Sequence, residues 1–277
     1  MERREAARRL IVNADDFGRS SSINAAVVRA HRDGILTSAS LMVNEPAFDE
    51  AVSMAKENPR LAVGLHLTLL RGHSTLGCAS IPGLINVRHE LGGNPFQVAL
   101  RYWWIRGLHS QLEAELAAQF EKFRATGLPL DHVNGHLHLH LHPVVLAILI
   151  RNAAAWGIIR MRLTCDRFWL NARLARGRWL YRASHALVFH LLWRTTRAAL
   201  IRAQVRFVPT VFGLLQDSHV DENYVLNLIR RLPAGDSELY SHPSQDEFKH
   251  ELDALISPRV KELVHRQRIE LIRYQDL

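Results

Sequence analysis

The chain has 277 residues, 48% of them apolar, which is enough for one sizeable core, and its formal net charge of +8 is carried mostly by arginine. The two cysteines, Cys78 and Cys165, have no metal-type spacing and make no disulfide framework, which argues against a stapled secreted scaffold and suits a reducing cytoplasm. The N-terminal run through Arg9 lacks the apolar core of a signal peptide, because Leu10-Ile11-Val12 gives way at once to Asn13, Asp15 and Asp16.

In chain order, Leu10-Ile11-Val12 reads as a short buried strand, followed by serines that can cap a helix from Ile23 to about Asp33, with Gly34 as its stop. Ile35 to Val43 reads as a second strand, the region from Pro46 to Asn58 as a second helix, and Leu61 to Leu67 as a third strand carrying His66 near its end. A Gly/Pro-punctuated loop from Arg71 to Pro95 precedes helix from about Gln97 and again from Gln111 to Thr126, which Gly127-Leu128-Pro129 ends. Pro143 can open a helix running from Val144 to Trp156; Ile158 to Leu163 reads as a further strand, Leu239 onward as the end of a late one, and Asp246 to about Arg268 as the terminal helix. Strands alternating with helices imply a parallel sheet, and this many units in one domain imply an irregular or incomplete (β/α) TIM-like barrel spanning residues 1–277, with no internal repeat.

Between Asp131 and Pro143 lie five of the chain's sixteen histidines, four of them alternating with leucine or abutting a proline. Read as an extended strand, the alternation sends His136, His138, His140 and His142 to one face and Leu137, Leu139 and Leu141 to the other, so at least one metal ligand is expected on the histidine face. In parallel α/β folds the chemistry gathers where strands end. Asp15 and Asp16 follow the first strand, His66 ends the third, His136 begins the histidine run, Arg162 ends the next strand and His242 a late one. An Asp-Asp pair after a strand is by itself more often a turn feature than a catalytic dyad, but together these positions make a site.

These residues resemble the YdjC-type carbohydrate deacetylases, the chitooligosaccharide deacetylase family. The segments carrying the resemblance are Ile11 to Gly18, Gly64 to Leu67, His132 to His138 and Glu238 to Pro243, spread over most of the chain. The resemblance implies a deacetylase-type barrel, a divalent metal (zinc, magnesium, manganese or cobalt) held by Asp16, His66 and His136, Asp15 as base, Arg162 orienting that carboxylate, and His242 as the late acid. It also implies a homodimer. His138 and His140 stay open between substrate contact, a supporting shell and packing. Asn134-Gly135 departs from the Asp-Ser of the chitooligosaccharide branch, so that branch's sugar specificity is not carried over.

The larger departure lies between Arg167 and Gln216, where nine arginines and no acidic residue occur among tryptophans and leucines. We expect a helical, basic insertion over residues 166–206, kinked or split in two. Its longest uncharged stretch, Ala183 to Trp193, has eleven residues against the roughly 20 that a spanning helix needs, so it fits a segment lying on an anionic membrane. Trp103 and Trp104 belong to a second aromatic-basic patch, and Trp103, Trp104, Arg178, Arg182 and Trp193 are the expected membrane contacts. No lysine-rich tail, recognition motif or stacking module points to nucleic acid. The same composition also fits a subdomain folded onto the barrel. The insertion resembles the hopanoid-biosynthesis-associated branch of the family, which implies an N-acetylglucosaminyl-hopanoid substrate met at the inner face of the membrane; alternatives are a soluble chitooligosaccharide deacetylase, another metal-dependent hydrolase such as a phosphoesterase, and a non-catalytic membrane-attached protein.

Overall fold

A computed structural model describes residues 7–174 and 177–277; Met1 to Ala6 and Arg176 of the arginine series lie outside the described residues. The elements are β1 (Arg8–Phe17), α1 (Ser21–Asp33), β2 (Ser38–Leu41), α2 (Phe48–Glu57), β3 (Ala62–Leu67), α3 (Pro95–Trp104), α4 (His109–Ala125), β4 (Val133–Gly135), α5 (Pro143–Arg151), α6 (Ala153–Trp156), α7 (Phe168–Leu174), α8 (Trp179–Arg202), β5 (Val211–Phe212), α9 (Glu222–Arg231), β6 (Gly235–Ser241), α10 (Lys249–Ile256), α11 (Pro258–Arg266) and β7 (Glu270–Ile272). All the strand pairs are parallel, in the order β4-β3-β2-β1-β6-β5, with β7 added beside β1.

β1 is the axis of this sheet. From Leu10 to Phe17 it is buried without a break, as a strand must be when both faces of a parallel sheet are covered. Its first half pairs with β6 and β7, and its second half with β6 and β2. The sheet curls, and its two edges are joined by the irregular segment 159–165. Val133 N–H donates to Arg160 O and Arg162 N–H to Val133 O on one side; Met161 N–H donates to Arg206 O and Val211 N–H to Cys165 O on the other. The result is a partial, distorted barrel, and the expected strand from Ile158 to Leu163 is reduced to isolated bridges.

The helix boundaries follow local chemistry. Ser20 caps α1, Asn94 caps α3 ahead of Pro95, and Asp221 caps α9. Two expected helices are each broken. The terminal one divides at Ser257-Pro258, where proline cannot continue the preceding turn and Ser257 caps the next helix instead. The other divides at Asn152, whose side chain bonds back to Ile148 O and across to Glu113.

The largest correction concerns the histidines. Strand β4 stops at Gly135, and His136 to Leu141 form a tight turn in which Leu137 and His138 take left-handed backbone angles. Once the chain turns, period-two alternation no longer decides which way a side chain points, and the four histidines diverge. Close packing governs the entry to β4: a Cβ on Gly64 would lie 2.5 Å from the His132 ring, so only glycine lets β3 approach the chain there.

In the basic stretch the kink or split expected where Arg194 and Arg197 rotate away from Arg178, Arg182 and His185 does not occur: α8 runs 24 residues without a break, and the chain leaves helix only before it, at Gly177-Arg178. No helix among the described residues is long and apolar enough to cross a membrane.

Candidate metal and catalytic site

The carboxyl ends of β1, β3, β4 and β6 deliver the polar residues to one cleft of about 370 Å³, lined among others by Asp15, His66, His136, His138, Tyr240 and His242. At the end of β1 the backbone at Asp16 is left-handed (φ 64°), which lets neighbouring carboxylates go separate ways.

Asp16 meets the two imidazoles: its Oδ1 lies 3.0 Å from His136 Nδ1 and 3.3 Å from His66 Nε2, while Oδ2 accepts from Arg19 at 2.7 Å. One ligand atom from each of Asp16, His66 and His136 falls within 4.8 Å of the others, and all three residues are buried. The donor set fits a divalent cation, and the fixed tautomer of His66 supports it. Asn134 gives both amide protons away, to Asp15 Oδ1 (3.1 Å) and Ser40 Oγ (2.9 Å), so its Oδ1 must accept from His66 Nδ1–H at 2.7 Å. This leaves the His66 Nε2 lone pair aimed at Asp16, as second-layer partners of metal-binding histidines commonly arrange. Two imidazoles and one carboxylate leave open positions, the pattern of a reactive rather than a structural site.

Asp15 is held differently. Arg162, fully buried, grips it through two bonds, Nη1 to Oδ2 at 2.6 Å and Nη2 to Oδ1 at 2.9 Å, and Asn13 adds a third donor at 2.8 Å. Burial alone would raise the Asp15 carboxyl, but the Arg162 charge, the nearby imidazoles and the Arg162 hydrogen bonds outweigh it and hold the group well below the usual carboxylate range. The guanidinium also contacts Glu238 at 2.7 Å, whose other oxygen accepts a hydrogen bond from the Tyr274 hydroxyl. Two carboxylates thus share one buried cation.

His242 lies across the cleft, its Nδ1 3.8 Å from Asp217. Burial works against its charged form, yet Asp16, Glu251, Asp15 and Asp217 together raise its pKa above the ordinary value. A cation beside Asp16 offsets the first of those attractions. In metal-free protein the His242 ring should therefore titrate above 6.5 by NMR, and addition of zinc should move that midpoint downward; an upward shift, or none, would remove His242 from the neighbourhood of the cluster.

The other histidines serve different ends. His138 Nε2 bonds the Tyr240 hydroxyl at 2.9 Å and Nδ1 meets Thr164 Oγ1 at 3.2 Å, so it borders the cleft without joining the metal cluster. His140 donates from Nε2 to Arg162 O, and burial drives its pKa down to about 3, so it remains neutral. His142 contacts Ala99 O and ties the turn to α3. Sequence reasoning passed over Asn13, Asn134, Glu238 and Tyr274. Glu238 gave no local signal, since β6 reads Gly-Asp-Ser-Glu-Leu-Tyr-Ser and carries a second acid, Asp236.

The expected membrane contacts separate. Trp103 and Trp104 on α3 are 49% and 73% exposed, and Arg178 is exposed beside α8. Arg182 is corrected: at 1% exposure it points inward, with Nη2 donating to Gln216 at 2.6 Å and Nε facing Leu215 O, and cannot reach a lipid surface. Trp193 is half-buried against the core. Both α3, through Pro95, and α8, through Tyr181, His185 and Phe189, border the cleft.

The fold and site define an α/β protein with a buried carboxylate–imidazole cluster at the carboxyl end of a curled parallel sheet. Residues 9–266 match the YdjC-like protein family, and the chain belongs to that family. It is 41% identical over 150 residues to a carbohydrate deacetylase of Brevibacillus brevis, covering 54% of this chain and 57% of that protein. To a carbohydrate deacetylase of Geobacillus stearothermophilus it is 40% identical over 139 residues, covering 50% and 53%. The chain thus spans somewhat over half the length of the curated relatives it matches. Its fold is similar to that of a solved Enterococcus faecalis protein described as a candidate for cellobiose-phosphate cleavage, with a TM-score of 0.72, 21% identity and coverage of 98% and 99%.

Proposed function

We propose that this protein is a metal-dependent carbohydrate N-deacetylase that hydrolyses the acetamide of an N-acetylated amino sugar. The observation that carries this reading is the pairing in one cleft of an ionised, arginine-clamped Asp15 with the Asp16, His66 and His136 cluster. The relatives named as carbohydrate deacetylases support it. Asp16, His66 and His136 would hold a divalent cation, which would supply Lewis acidity toward the acetamide carbonyl and lower the pKa of water. Asp15 accepts the proton of the attacking water, whose oxygen bonds to the acyl carbon. His242, in its imidazolium form, returns a proton to the departing nitrogen as the C–N bond breaks, releasing acetate and a free amine. Arg162 is a positioning residue that keeps Asp15 ionised and oriented.

Within this reading the amino sugar is carried on a membrane lipid, an N-acetylglucosaminyl hopanoid, and is met at the inner face of the bilayer. What supports this is the placement of exposed Phe96, Trp103, Trp104, Trp179 and Leu180 on the two elements that border the cleft, in a chain of net charge +8. A dimer is part of the same proposal only through the family resemblance. The decisive experiment compares acetate release from an N-acetylglucosaminyl lipid and from a soluble N-acetylglucosamine oligomer, each with and without chelator. Chelator-sensitive release from the lipid alone supports both parts. Release from the oligomer alone keeps the chemistry and removes the lipid, and release from neither overturns the deacetylase reading. Co-sedimentation with anionic liposomes should fall as salt rises, and a lack of binding at low salt would sink the membrane part.

A further inference from the structure

Beside the catalytic cleft, between α7 and α8, lies a second cavity of about 640 Å³. Its walls are largely apolar: Phe168, Trp169 and Leu170 from α7 face Ala186, Leu187 and Phe189 from α8. Phe189 and Leu214 belong to both cavities, so the two adjoin across these side chains. The volume lies within the range of about 300–1,000 Å³ common for small-molecule sites. Trp169 and Leu187 stand 77% and 62% exposed at its rim, an arrangement that leaves large apolar surface in water unless something covers it.

We propose that this groove is the aglycone subsite: it takes an apolar group linked to the amino sugar whose acetamide sits at Asp15 and His242. The proposal rests on the deacetylase reading above and adds where the rest of the substrate lies. A bare sugar chain needs hydrogen-bonding partners along its length, and these walls offer few beyond Asp166, Arg167 and His190. An alkyl or polycyclic group needs only area and shape. Adjacency to the cleft favours a single amphiphilic substrate over a separate protein partner, because the shared residues Phe189 and Leu214 put the apolar part next to the reacting sugar.

The test is a chain-length series, methyl to octyl glycosides of N-acetylglucosamine, assayed for acetate release with the metal-loaded protein. Each methylene entering the groove should raise kcat/KM about fourfold until the groove fills. In Ala186→Trp, which fills the groove, the octyl-to-methyl ratio of kcat/KM should fall at least tenfold; Trp169→Ala, which removes an exposed wall and leaves the core intact, should lower the slope per methylene. A slope unchanged in both variants overturns the proposal. So does a rise with N-acetylglucosamine oligomer length that Ala186→Trp abolishes, since the groove would then be a sugar subsite. If no glycoside yields acetate, the deacetylase reading fails, and calorimetric binding of octyl glucoside, which has no acetamide, judges the groove by itself. Binding weakened at least tenfold by either variant upholds it, and binding that is absent or equal in all three proteins overturns it.

Discussion

Asp15→Asn should reduce kcat by roughly 100- to 10,000-fold, the usual worth of a positioned general base, while the protein still binds one divalent cation. The substitution keeps the side chain's shape and removes its ability to accept a proton. Asp15 does not belong to the Asp16, His66 and His136 cluster, so metal content measured by mass spectrometry should match the parent protein. Stability should suffer less than when a simple buried ion pair is broken, which costs about 3–5 kcal/mol, because Arg162 keeps Glu238 as its counter-charge. Near-normal turnover in a metal-loaded Asp15→Asn protein would show that the base is elsewhere.

His136→Ala should act in the opposite order. It removes one of three candidate ligands, leaving Asp16 and His66, and metal affinity measured by competition with a fluorescent chelator should fall at least 100-fold, with activity lost in parallel and restored only in part by excess metal. His138→Ala and His140→Ala are the controls that separate this from damage to the turn. Both lie in the same histidine run, but His138 faces Tyr240 and His140 faces Arg162 O, so neither should lower metal affinity to that extent. Equal loss in all three would mean that the turn matters as a unit and that the three-residue cluster is incomplete.

The placement of the site was legible because strand ends are legible. Asp15 and Asp16 follow an apolar run, His66 lies near the end of another, and His242 follows the shorter Leu239-Tyr240 pair; a parallel sheet brings the carboxyl ends of its strands together whatever the loops do. The orientation of the histidines was not legible, because leucine alternating with histidine is also compatible with a turn, and nothing local marks Leu137 and His138 for positive φ. The supporting residues were hidden for another reason: register. Asn134 reaches His66 because β3 and β4 pair those two residues, and Glu238 reaches Arg162 across a sheet whose edges close only through irregular bridges. Arg182 looked like a surface cation in a basic run; its burial depends on Gln216, 34 residues away.

The central position of β1 bears on how the chain is made. Once made, β1 finds β2 soon, but its β6 partners lie 227 residues further on, and β7 later still. At about 5–20 residues per second, that interval lasts roughly 10–45 s. Throughout it, one edge of a strand that is wholly buried in the finished protein has no neighbour, and such an edge readily pairs with other chains. Production in cells should therefore depend strongly on factors that shield nascent chains, and a circular permutant that begins near β6 should fold with less loss to aggregation than the natural order.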